Sequence, residues 1–555
     1  MFLSVRDWRP SWLLPDATAG LLLTAIAVPE QLATARLAGL PPESGLIAFV
    51  AAAAGFAIFG ANRVLSAGAD STIAPIFAGG LAAIAASGAQ YADLASVLAL
   101  MVGVILVAAA LCRAGWVADL LSIPVTTGFL AGVSVHIAVV ELPALLGVPA
   151  VSGTLPAQVA GIAAQLPRIN PYVLGIGLLA AVATLLTERV APRVPGALLG
   201  IALGAAAVMT FHLQRLGVGM MAPLPPAAMP HDILGKVSLP EVVRLGPLAM
   251  VVALVCMMQT ATVARAFAGD GDPLAPISPN LAGIGAGCLL SGLCGAFPVN
   301  ASPPRTEAIV EGGGRSQMVS VVAAALVVLL LLAGRMIFAF VPQAALAGIL
   351  IAIAIRIFRI KQMLRIHRQG GAEIWLVIAS IALVIALPIE IGMLCSIALS
   401  LLQSIYGMAR PLCTELARVP GSTVWWPPSP GESGEGEPGV LVFAPAAPIS
   451  FTNVVYICRE LELAVVSAPE PLTLVVIEAS GITEIDYTGA AVLQTTIAGV
   501  RRRGMTVALA RLSADKARQQ AELTGLIACL GADHVFHSVA EALSHFRGKG
   551  RQAAS

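Results

Sequence analysis

Two polar stretches interrupt an otherwise apolar sequence, each where a short apolar segment begins. VLSAGAD at 64–70 precedes an apolar segment at 72–87, and AFPVNASPP at 296–304 precedes one at 305–313. The segment at 305–313 is too short to cross a bilayer alone, and 72–87 is marginal. A helix that starts at membrane depth presents partial positive charge and unpaired backbone N–H groups. The two stretches therefore predict an anion-binding site.

The second stretch carries the strongest candidates. Pro303 and Pro304 have no N–H group and suit the first turn of a helix, while Ser302 can cap it. Arg305 would add positive charge beside the anion, and the alternative is that it ties down a carbonyl group in the protein core. The candidate binding residues here are Asn300, Ala301, Ser302, Arg305 and Thr306.

The first stretch offers Ala69, Asp70, Ser71 and Thr72. Asp70 or Ser71 is predicted to cap the following helix, a structural role that competes with substrate contact. An ionised Asp70 that pointed at an anion would repel it. We therefore expect Asp70 to be turned away or protonated, with backbone N–H groups facing the ligand.

The composition requires a membrane around these elements. Hydrophobic residues make up 58% of the 555 residues and charged residues 11%, with a mean hydropathy of +0.89. A spanning helix needs about 20 apolar residues. About fourteen apolar segments are predicted, near 18–37, 43–60, 72–87, 93–112, 121–147, 171–190, 194–211, 245–268, 279–296, 305–313, 316–340, 343–360, 372–388 and 390–409.

Several classes of function are excluded or disfavoured. The net charge of +1 gives no basic surface for nucleic acid, and no Walker-type phosphate loop supports ATP-driven transport. The eight cysteines lack CxxC spacing, so neither zinc nor disulfides are suggested. No cofactor and no metal are predicted, and the N-terminus does not read as a cleaved signal peptide.

Charge between the segments predicts the orientation. Most basic residues fall on one side if the N-terminus is cytoplasmic, which places both termini in the cytoplasm of a multi-pass cell-membrane protein. The opposing residues are Arg36, Arg168, Arg215 and Arg335. The basic run at 355–369 is interpreted as a cytoplasmic anchor at anionic headgroups.

A polar Gly/Pro stretch at 427–439 separates a second kind of sequence. Beyond it, strands are predicted at 440–443, 473–479 and 505–510, and helices near 452–465, 488–503, 514–527 and 538–547. This alternation indicates a small α/β domain. The predicted domains are a transport domain at 1–412, a linker at 413–438, the α/β domain at 439–549 and a tail at 550–555.

The transport domain shows a weak internal repeat. EQLATARLAG at 30–39 resembles MQTATVARAFAG at 258–269, which pairs Gln31 with Gln259 and Thr34 with Thr262. Two further pairs of segments match in the same order. About seven spans in each half would make the halves inverted repeats, with substrate bound near the midplane where the two helix starts meet. Glu30, Gln31, Gln259 and Thr262 are therefore added to the candidate binding residues.

At this point the residues resemble a known family. VPEQLATARLAGLPPESGL at 28–46, GANRVLSAGADSTIAP at 60–75 and GAFPVNASPPRTEAIVEGGG at 295–314 resemble the signature regions of the SulP sulfate permeases. SFTNVVY at 450–456 and EIDYTGAAVL at 484–493 resemble a STAS domain. The resemblance covers nearly the whole chain in family order.

The resemblance implies a polytopic α-helical fold of fourteen transmembrane segments in a 7+7 inverted repeat, with a cytoplasmic STAS domain. Segments 1–4 and 8–11 would form a core domain, and segments 5–7 and 12–14 a gate domain. The anion would lie between the starts of the third and tenth segments and move by an elevator mechanism. Family members are commonly homodimers. The family's serine before the arginine is Pro304 here, which puts a hydroxyl contact at that point in doubt.

Two departures bear on coupling. The family often has Gln at the position of Glu30 and an acidic residue at that of Gln259, so the two are exchanged in this chain. A buried carboxylate can carry a proton, and Glu30 is predicted as the coupling group of proton–anion symport. The alternative is that Glu30 only hydrogen-bonds across the core. Sodium coupling is less favoured because Gln259, Thr262 and neighbouring groups offer only neutral oxygens. His136 is interpreted as a packed core histidine.

Thr488 matches the phosphorylatable position of related STAS domains, with helix N-capping as its structural alternative. A regulatory protein that binds the STAS domain is a possible partner.

The sequence as a whole predicts a secondary-active transporter of sulfate, bicarbonate, chloride or a carboxylate, and no enzyme. Two alternatives stay open, a nucleobase permease of related fold and a non-conducting signalling scaffold.

Overall fold

A computed structural model describes residues 8–553 apart from 86, 121, 152, 192–193, 222–236, 268–276, 334–336, 370, 372 and 429–435. Arg335 and most of the predicted linker stretch at 427–439 lie outside the described residues. The chain divides into two compact units, Met1–Ser400 and Leu401–Ser555.

The first unit is almost entirely helical. Its helices, including the one that continues past Ser400, are α1 (Leu13–Leu37), α2 (Pro42–Phe59), α3 (Ala74–Ile84), α4 (Gly88–Leu111), α5 (Ile123–Leu146), α6 (Leu155–Gln165), α7 (Pro171–Val190), α8 (Gly196–Thr210), α9 (Leu239–Ala266), α10 (Ser278–Leu293), α11 (Pro303–Glu311), α12 (Met318–Ala333), α13 (Gln343–Ile357), α14 (Ile360–Arg368), α15 (Glu373–Ala386) and α16 (Ile389–Ala409).

Many of these helices can cross a membrane. Within the described residues, seven are long and apolar enough, or eight if the bent pair Leu155–Arg168 and Pro171–Thr187 forms one span. Shorter apolar helices include α3 and α8. The polytopic helical fold is confirmed, and the count of fourteen spans stays a prediction.

Local sequence explains where several helices start. Proline occupies one of the first two positions of α2, α5, α7, α10 and α11, where its missing N–H leaves no hydrogen bond unmade. Asn170 caps α7, because its side-chain oxygen accepts from the backbone N–H groups of Tyr172 and Val173. Pro29 lies inside α1, directly before Glu30, and cannot donate to the preceding turn.

The helices pack as two bundles. Helices α1, α2, α4, α10 and α12 contact one another, and α9 joins them through α3 and α4. A second set consists of α5, α7, α8, α13 and α15. Glycine allows the closest approaches: a Cβ at Gly55 would lie 2.4 Å from the backbone nitrogen of Gly287, and one at Gly348 would lie 2.0 Å from the carbonyl oxygen of Gly177.

The second unit is an α/β domain built on a five-stranded sheet. Its five strands lie side by side in chain order: the first is antiparallel at one edge, and the other four run parallel. These strands are β3 (Cys413–Glu415), β6 (Val440–Pro445), β7 (Leu474–Glu478), β8 (Thr506–Ala510) and β9 (Val535–Phe536). A separate hairpin pairs β4 (Ala417–Arg418) with β5 (Trp425–Trp426).

Helices cover both faces of the five-stranded sheet. One face packs against α17 (Val454–Ser467), α18 (Tyr487–Arg502), α19 (Asp515–Leu523) and α20 (Leu526–Leu530), and the other against α21 (Val539–Ala553). Strand β7 is buried along its whole length because Val475 and Val476 enter different cores. The predicted strands at 440–443, 473–479 and 505–510 correspond to β6, β7 and β8. Strand β3 lies in the segment predicted as linker.

Candidate functional site

The two polar stretches meet in the structure. Residues Ala67–Gly68 form strand β1 and residues Asn300–Ala301 form strand β2. The strands pair antiparallel, with Ala67 opposite Ala301 and Gly68 opposite Asn300. Segments related by inversion would run antiparallel in this way. A turn at 71–73 then leads into α3, and α11 begins directly after Ser302.

Hydrogen bonds extend the contact beyond the two strands. The backbone N–H of Ser302 donates to the carbonyl oxygen of Ser66 at 2.9 Å. The N–H of Ser66 donates to Thr306 Oγ1 at 3.0 Å, and Thr306 Oγ1 donates to the carbonyl oxygen of Ser302 at 2.7 Å. Each stretch therefore provides hydrogen-bond partners for backbone groups of the other. These bonds allow irregular backbone to exist inside a buried region.

Gln31 holds the first stretch against α1. Its Oε1 accepts from the N–H of Ala69 at 2.8 Å and its Nε2 donates to the carbonyl oxygen of Ala69 at 3.0 Å. Arg305 Nη1 donates to the same oxygen at 3.0 Å and lies 3.4 Å from Glu30 Oε1. Arg305 is fully buried at 0% exposure, and its Nε and Nη2 have no hydrogen-bond partner among the described residues. A cation thus lies beneath the helix starts, partly neutralised by Glu30.

Gln259 connects the two stretches on the other side. Its Oε1 accepts from Thr72 Oγ1 at 2.9 Å and from Asn300 Nδ2 at 2.7 Å, and its Nε2 lies 3.5 Å from Asp70 Oδ2. Asp70 Oδ1 accepts from the N–H of Thr72 at 2.8 Å and also contacts Thr72 Oγ1. The side-chain amide of Gln259 therefore bonds to Thr72, which precedes α3, and to Asn300, which precedes α11.

A cavity of about 240 Å³ opens in front of this network. Six predicted residues line it: Glu30, Asp70, Ser71, Thr72, Gln259 and Thr262. The others, namely Gln31, Ala69, Asn300, Ala301, Ser302, Arg305 and Thr306, are buried and make the contacts that join the two stretches. The predicted residues thus form two groups: the six that line the cavity, called the lining wall, and the seven buried residues behind them, called the supporting layer.

The cavity also includes residues that the sequence did not single out. Thr126 from the start of α5 lines it, as do Glu307 on α11, Arg356 near the end of α13 and Arg359 directly before α14. The two arginines fall in the basic run that was assigned to headgroups. Their sequence signal was ambiguous, because a basic run at a helix end is typical of a membrane interface whether or not it faces a cavity.

Three capping predictions need correction. Neither Asp70 nor Ser71 caps α3, because the N-cap residue of α3 is Ile73, which makes no side-chain cap hydrogen bond. Asp70 Oδ1 accepts instead from the N–H of Thr72 in the preceding turn.

Ser302 lies at the N-cap position of α11, but its hydroxyl makes no hydrogen bond among the described residues. The next two residues, Pro303 and Pro304, have no N–H group for it to accept from. In the second unit, Asp486 and not Thr488 caps α18: its Oδ1 accepts from the N–H of Gly489 at 2.6 Å. Thr488 is exposed in the first turn of α18.

Asp486 also positions the loop before α17, because its Oδ2 accepts from the N–H of Phe451 at 2.8 Å. Nearby, the hydrogen bond from Lys516 holds the pKa of the exposed Glu484 carboxyl below its usual value, with a smaller contribution from Gln520. These contacts order the region that surrounds Thr488.

Comparison with known protein families and with characterised relatives identifies the family of this chain. The model of the Sulfate permease family matches residues 13–380, and that of the STAS domain matches 434–542. A probable sulfate transporter of Mycobacterium tuberculosis is 31% identical over 545 residues, covering 98% of this chain and 97% of that protein. The chloroplastic sulfate transporter 4.1 of Arabidopsis thaliana is 25% identical over 563 residues, covering 97% and 81%.

Solved structures share the fold. The murine anion transporter Slc26a9, in its inward-facing state, matches with a TM-score of 0.84 at 18% identity over 99% of this chain and 94% of that one. The transmembrane domain of the cyanobacterial bicarbonate transporter BicA matches with a TM-score of 0.60 at 20% identity, covering 69% and 98%. From the family match over most of its length, the chain belongs to the sulfate permease family of anion transporters and carries a C-terminal STAS domain.

Proposed function

We propose that this chain is a secondary-active transporter that binds a small anion between the starts of α3 and α11. The supporting observation is that one cavity is lined by Ser71 and Thr72 before α3 and by Pro303 and Pro304 at the start of α11. Free N–H groups at a helix start attract negative charge more than they select shape. Sulfate, bicarbonate, chloride and carboxylates are the substrate classes to test, and relatives named for sulfate and bicarbonate transport support the first two.

We further propose that the bundle with the site moves against the other bundle as an elevator. The cavity is lined from both, with Gln259 of α9 on one side and Thr126 of α5 and Arg356 of α13 on the other. Contacts between the bundles involve α1 with α8 and α13, and α3 with α5. Sliding along these contacts would carry the anion while the hydrogen bonds between the two polar stretches stayed intact.

The cavity lies toward one end of α5 and α13. Thr126 is near the start of α5 and Arg356 near the end of α13, and both ends are cytoplasmic if the N-terminus is cytoplasmic. At the other end, Arg36 of α1 lies 3.4 Å from Glu141 of α5 and donates to the carbonyl oxygen of Gln343, the first residue of α13, at 2.8 Å. We therefore propose a state that is open to the cytoplasm and closed on the outside by Arg36.

Purified protein in liposomes tests the function. Uptake of labelled sulfate, bicarbonate, chloride and dicarboxylate, with and without a pH gradient, should identify at least one transported anion. Uracil should not compete; competition by uracil would favour a nucleobase permease. Liposomes that take up no anion under any gradient would favour the signalling scaffold.

The Arg305 and Glu30 pair gives a sharper test. Changing both residues to Gln removes the pair without leaving one buried charge unpaired, which would itself destabilise the fold. Anion uptake should fall at least about tenfold, corresponding to about 1.4 kcal/mol of lost binding. Arg365→Gln, on the exposed side of α14, is the matched control and should transport normally. Full activity in the double variant would remove Arg305 from the site.

Glu30 was predicted from the sequence as the proton-coupling group. Its contact with Arg305 supplies a counter-charge, so the alternative structural role has support as well. Anion uptake by the Glu30→Gln variant, measured over a range of pH, distinguishes the two roles. Uptake that kept its full pH dependence would exclude Glu30 as the coupling group.

For the STAS domain, we propose Thr488 as a phosphorylation site read by a regulatory protein. Its exposure and its place in the first turn of α18 support this, because a phosphate at a helix start is favoured by the helix dipole. Phosphopeptide mapping of protein from its native cells tests the proposal, with Thr495, which bonds to its own helix, as a comparison site.

A further inference from the structure

The amide groups between the two polar stretches can adopt only one orientation. The backbone N–H of Ala301 donates to Asn300 Oδ1 at 2.8 Å, so the Nδ2 of Asn300 must be the atom that faces Gln259, at 2.7 Å. That donor requires Oε1 of Gln259 as its acceptor, which leaves Nε2 of Gln259 toward Asp70 Oδ2. Gln259 Oε1 is therefore an acceptor and can donate nothing to Thr72.

The hydroxyl of Thr72 then faces two acceptors. Its Oγ1 lies 2.9 Å from Gln259 Oε1 and also contacts Asp70 Oδ1. A hydroxyl has one hydrogen and can donate to only one of these oxygens. If Asp70 is ionised, the remaining oxygen–oxygen contact has no hydrogen, so the network lacks one proton.

A proton on Asp70 Oδ1 completes the network. Asp70 then donates to Thr72 Oγ1, and the hydroxyl hydrogen of Thr72 goes to Gln259 Oε1. Asp70 Oδ1 still has a lone pair for the backbone N–H of Thr72, at 2.8 Å. Both oxygen–oxygen contacts of Thr72 Oγ1, with Asp70 Oδ1 and with Gln259 Oε1, then contain a hydrogen.

The surrounding charges agree with this assignment. On α1, Glu30 Oε1 lies 3.4 Å from Nη1 of Arg305 on α11, so these two groups face each other. Glu307 on α11, Arg356 near the end of α13 and Arg359 directly before α14 line the same cavity. Cys256 of α9 donates to the carbonyl oxygen of Val299. Asp70, which is 4% exposed, accepts hydrogen bonds only from neutral groups in the described part of the chain. An ionised Asp70 would place negative charge where the anion is expected.

We propose that Asp70 is a proton-binding site and that the anion binds to the protein when this carboxyl is protonated. The inference rests on the proposed function, since it assumes an anion before α3. It assigns the coupling proton to Asp70, and Glu30 serves as the salt-bridge partner of Arg305. Asp70 and the anion would be loaded and released together, which makes the protein a proton–anion symporter.

The affinity for anion, measured at several pH values, tests the proposal on the full chain. With the transported anion from the uptake panel as probe, the wild type should bind more weakly as the pH rises, by up to about tenfold per unit, between about pH 5 and pH 9. Asp70→Asn, which is permanently neutral, should bind with one affinity across this range. Glu373→Gln, at the exposed start of α15, should retain the pH dependence of the wild type.

Three results separate the possibilities. Asp70→Asn with the same pH dependence as the wild type overturns the proposal. Should Asp70→Asn not fold, the wild type still decides, because an affinity that is constant over the range overturns the proposal without any variant. If no anion binds to the wild type at any pH, the proposed function itself fails, and this is distinct from binding that ignores pH.

Discussion

Gln31 and Arg305 donate to one acceptor, the carbonyl oxygen of Ala69, although they come from opposite halves of the sequence. The donor nitrogens, Gln31 Nε2 and Arg305 Nη1, each lie 3.0 Å from it. Gln31 also accepts from the N–H of Ala69. A single backbone unit before α3 is thereby fixed by α1 and by α11, so the two halves define its position together.

Gln31→Ala should weaken both the fold and the site. The change leaves the N–H of Ala69 without its acceptor and the carbonyl with one donor fewer, and an unsatisfied buried group costs about 1–3 kcal/mol. Thermal unfolding in detergent should occur at lower temperature, and anion uptake should fall. The exposed Gln158, which bonds locally to the carbonyl oxygen of Gly153, provides the control Gln158→Ala with little effect. Unchanged unfolding of Gln31→Ala would show that this bond does not hold the site.

Gly68→Ala should disrupt the pairing of β1 with β2. A Cβ there would lie 2.9 Å from Phe49 Cδ2, 3.1 Å from Arg305 Nη2 and 3.2 Å from Gln31 Oε1, so these side chains would have to move. Overpacking of this kind costs about 1–3 kcal/mol. Gly246→Ala, with nothing within 4 Å of the new Cβ, should be neutral or stabilising. Equal uptake by the two variants would contradict the close packing of this site.

Glu141→Gln should shift the protein away from the state with an open cavity. The change breaks the pair with Arg36 that joins α1 to α5, a contact worth about 1 kcal/mol or about fivefold in population. A cysteine introduced at Thr126 should then react more slowly with a water-soluble thiol reagent, as quantified at that residue by mass spectrometry. Glu373→Gln, at the exposed start of α15, is the control. Faster labelling in Glu141→Gln would mean that the pair holds the cavity closed.

Asp486→Ala should loosen the start of α18. Loss of an N-cap costs about 1 kcal/mol, and the N–H of Phe451 loses its acceptor as well. Hydrogen exchange of the full chain should accelerate at the start of α18 and around Phe451. Asp533→Ala, in a short 3-10 helix without a side-chain cap hydrogen bond, should leave these peptides unchanged. Exchange that was identical in both variants would remove Asp486 as the cap.

The two interrupted helices could be predicted because backbone polar groups inside a bilayer must find hydrogen-bond partners within the protein. A polar stretch before a segment too short to span must be buried or line a cavity, and this reasoning identified the stretches around Ser71 and Arg305. Strands β6 to β8 could be predicted because buried parallel strands are continuous apolar runs. In contrast, β3 has three residues at a sheet edge, and its pairing with β6 depends on contacts distant in sequence.

Other features depend on tertiary contact alone. Arg36 ran against the charge pattern used for orientation, and the structure pairs it with Glu141 more than a hundred positions away. The same holds for Arg356, whose place at the cavity follows from the packing of α13. The division of the predicted site into a lining wall and a supporting layer also required coordinates, since residue type does not reveal which side of a turn faces open space.

An experimental structure with the transported anion, or a heavy analogue such as selenate or bromide, tests the central claim most directly. The account predicts density in the cavity between Ser71 and Pro303, in contact with backbone N–H groups of the turn at 71–73 that precedes α3. Density confined to Arg356 and Arg359, with the space between the two helix starts empty, would contradict it.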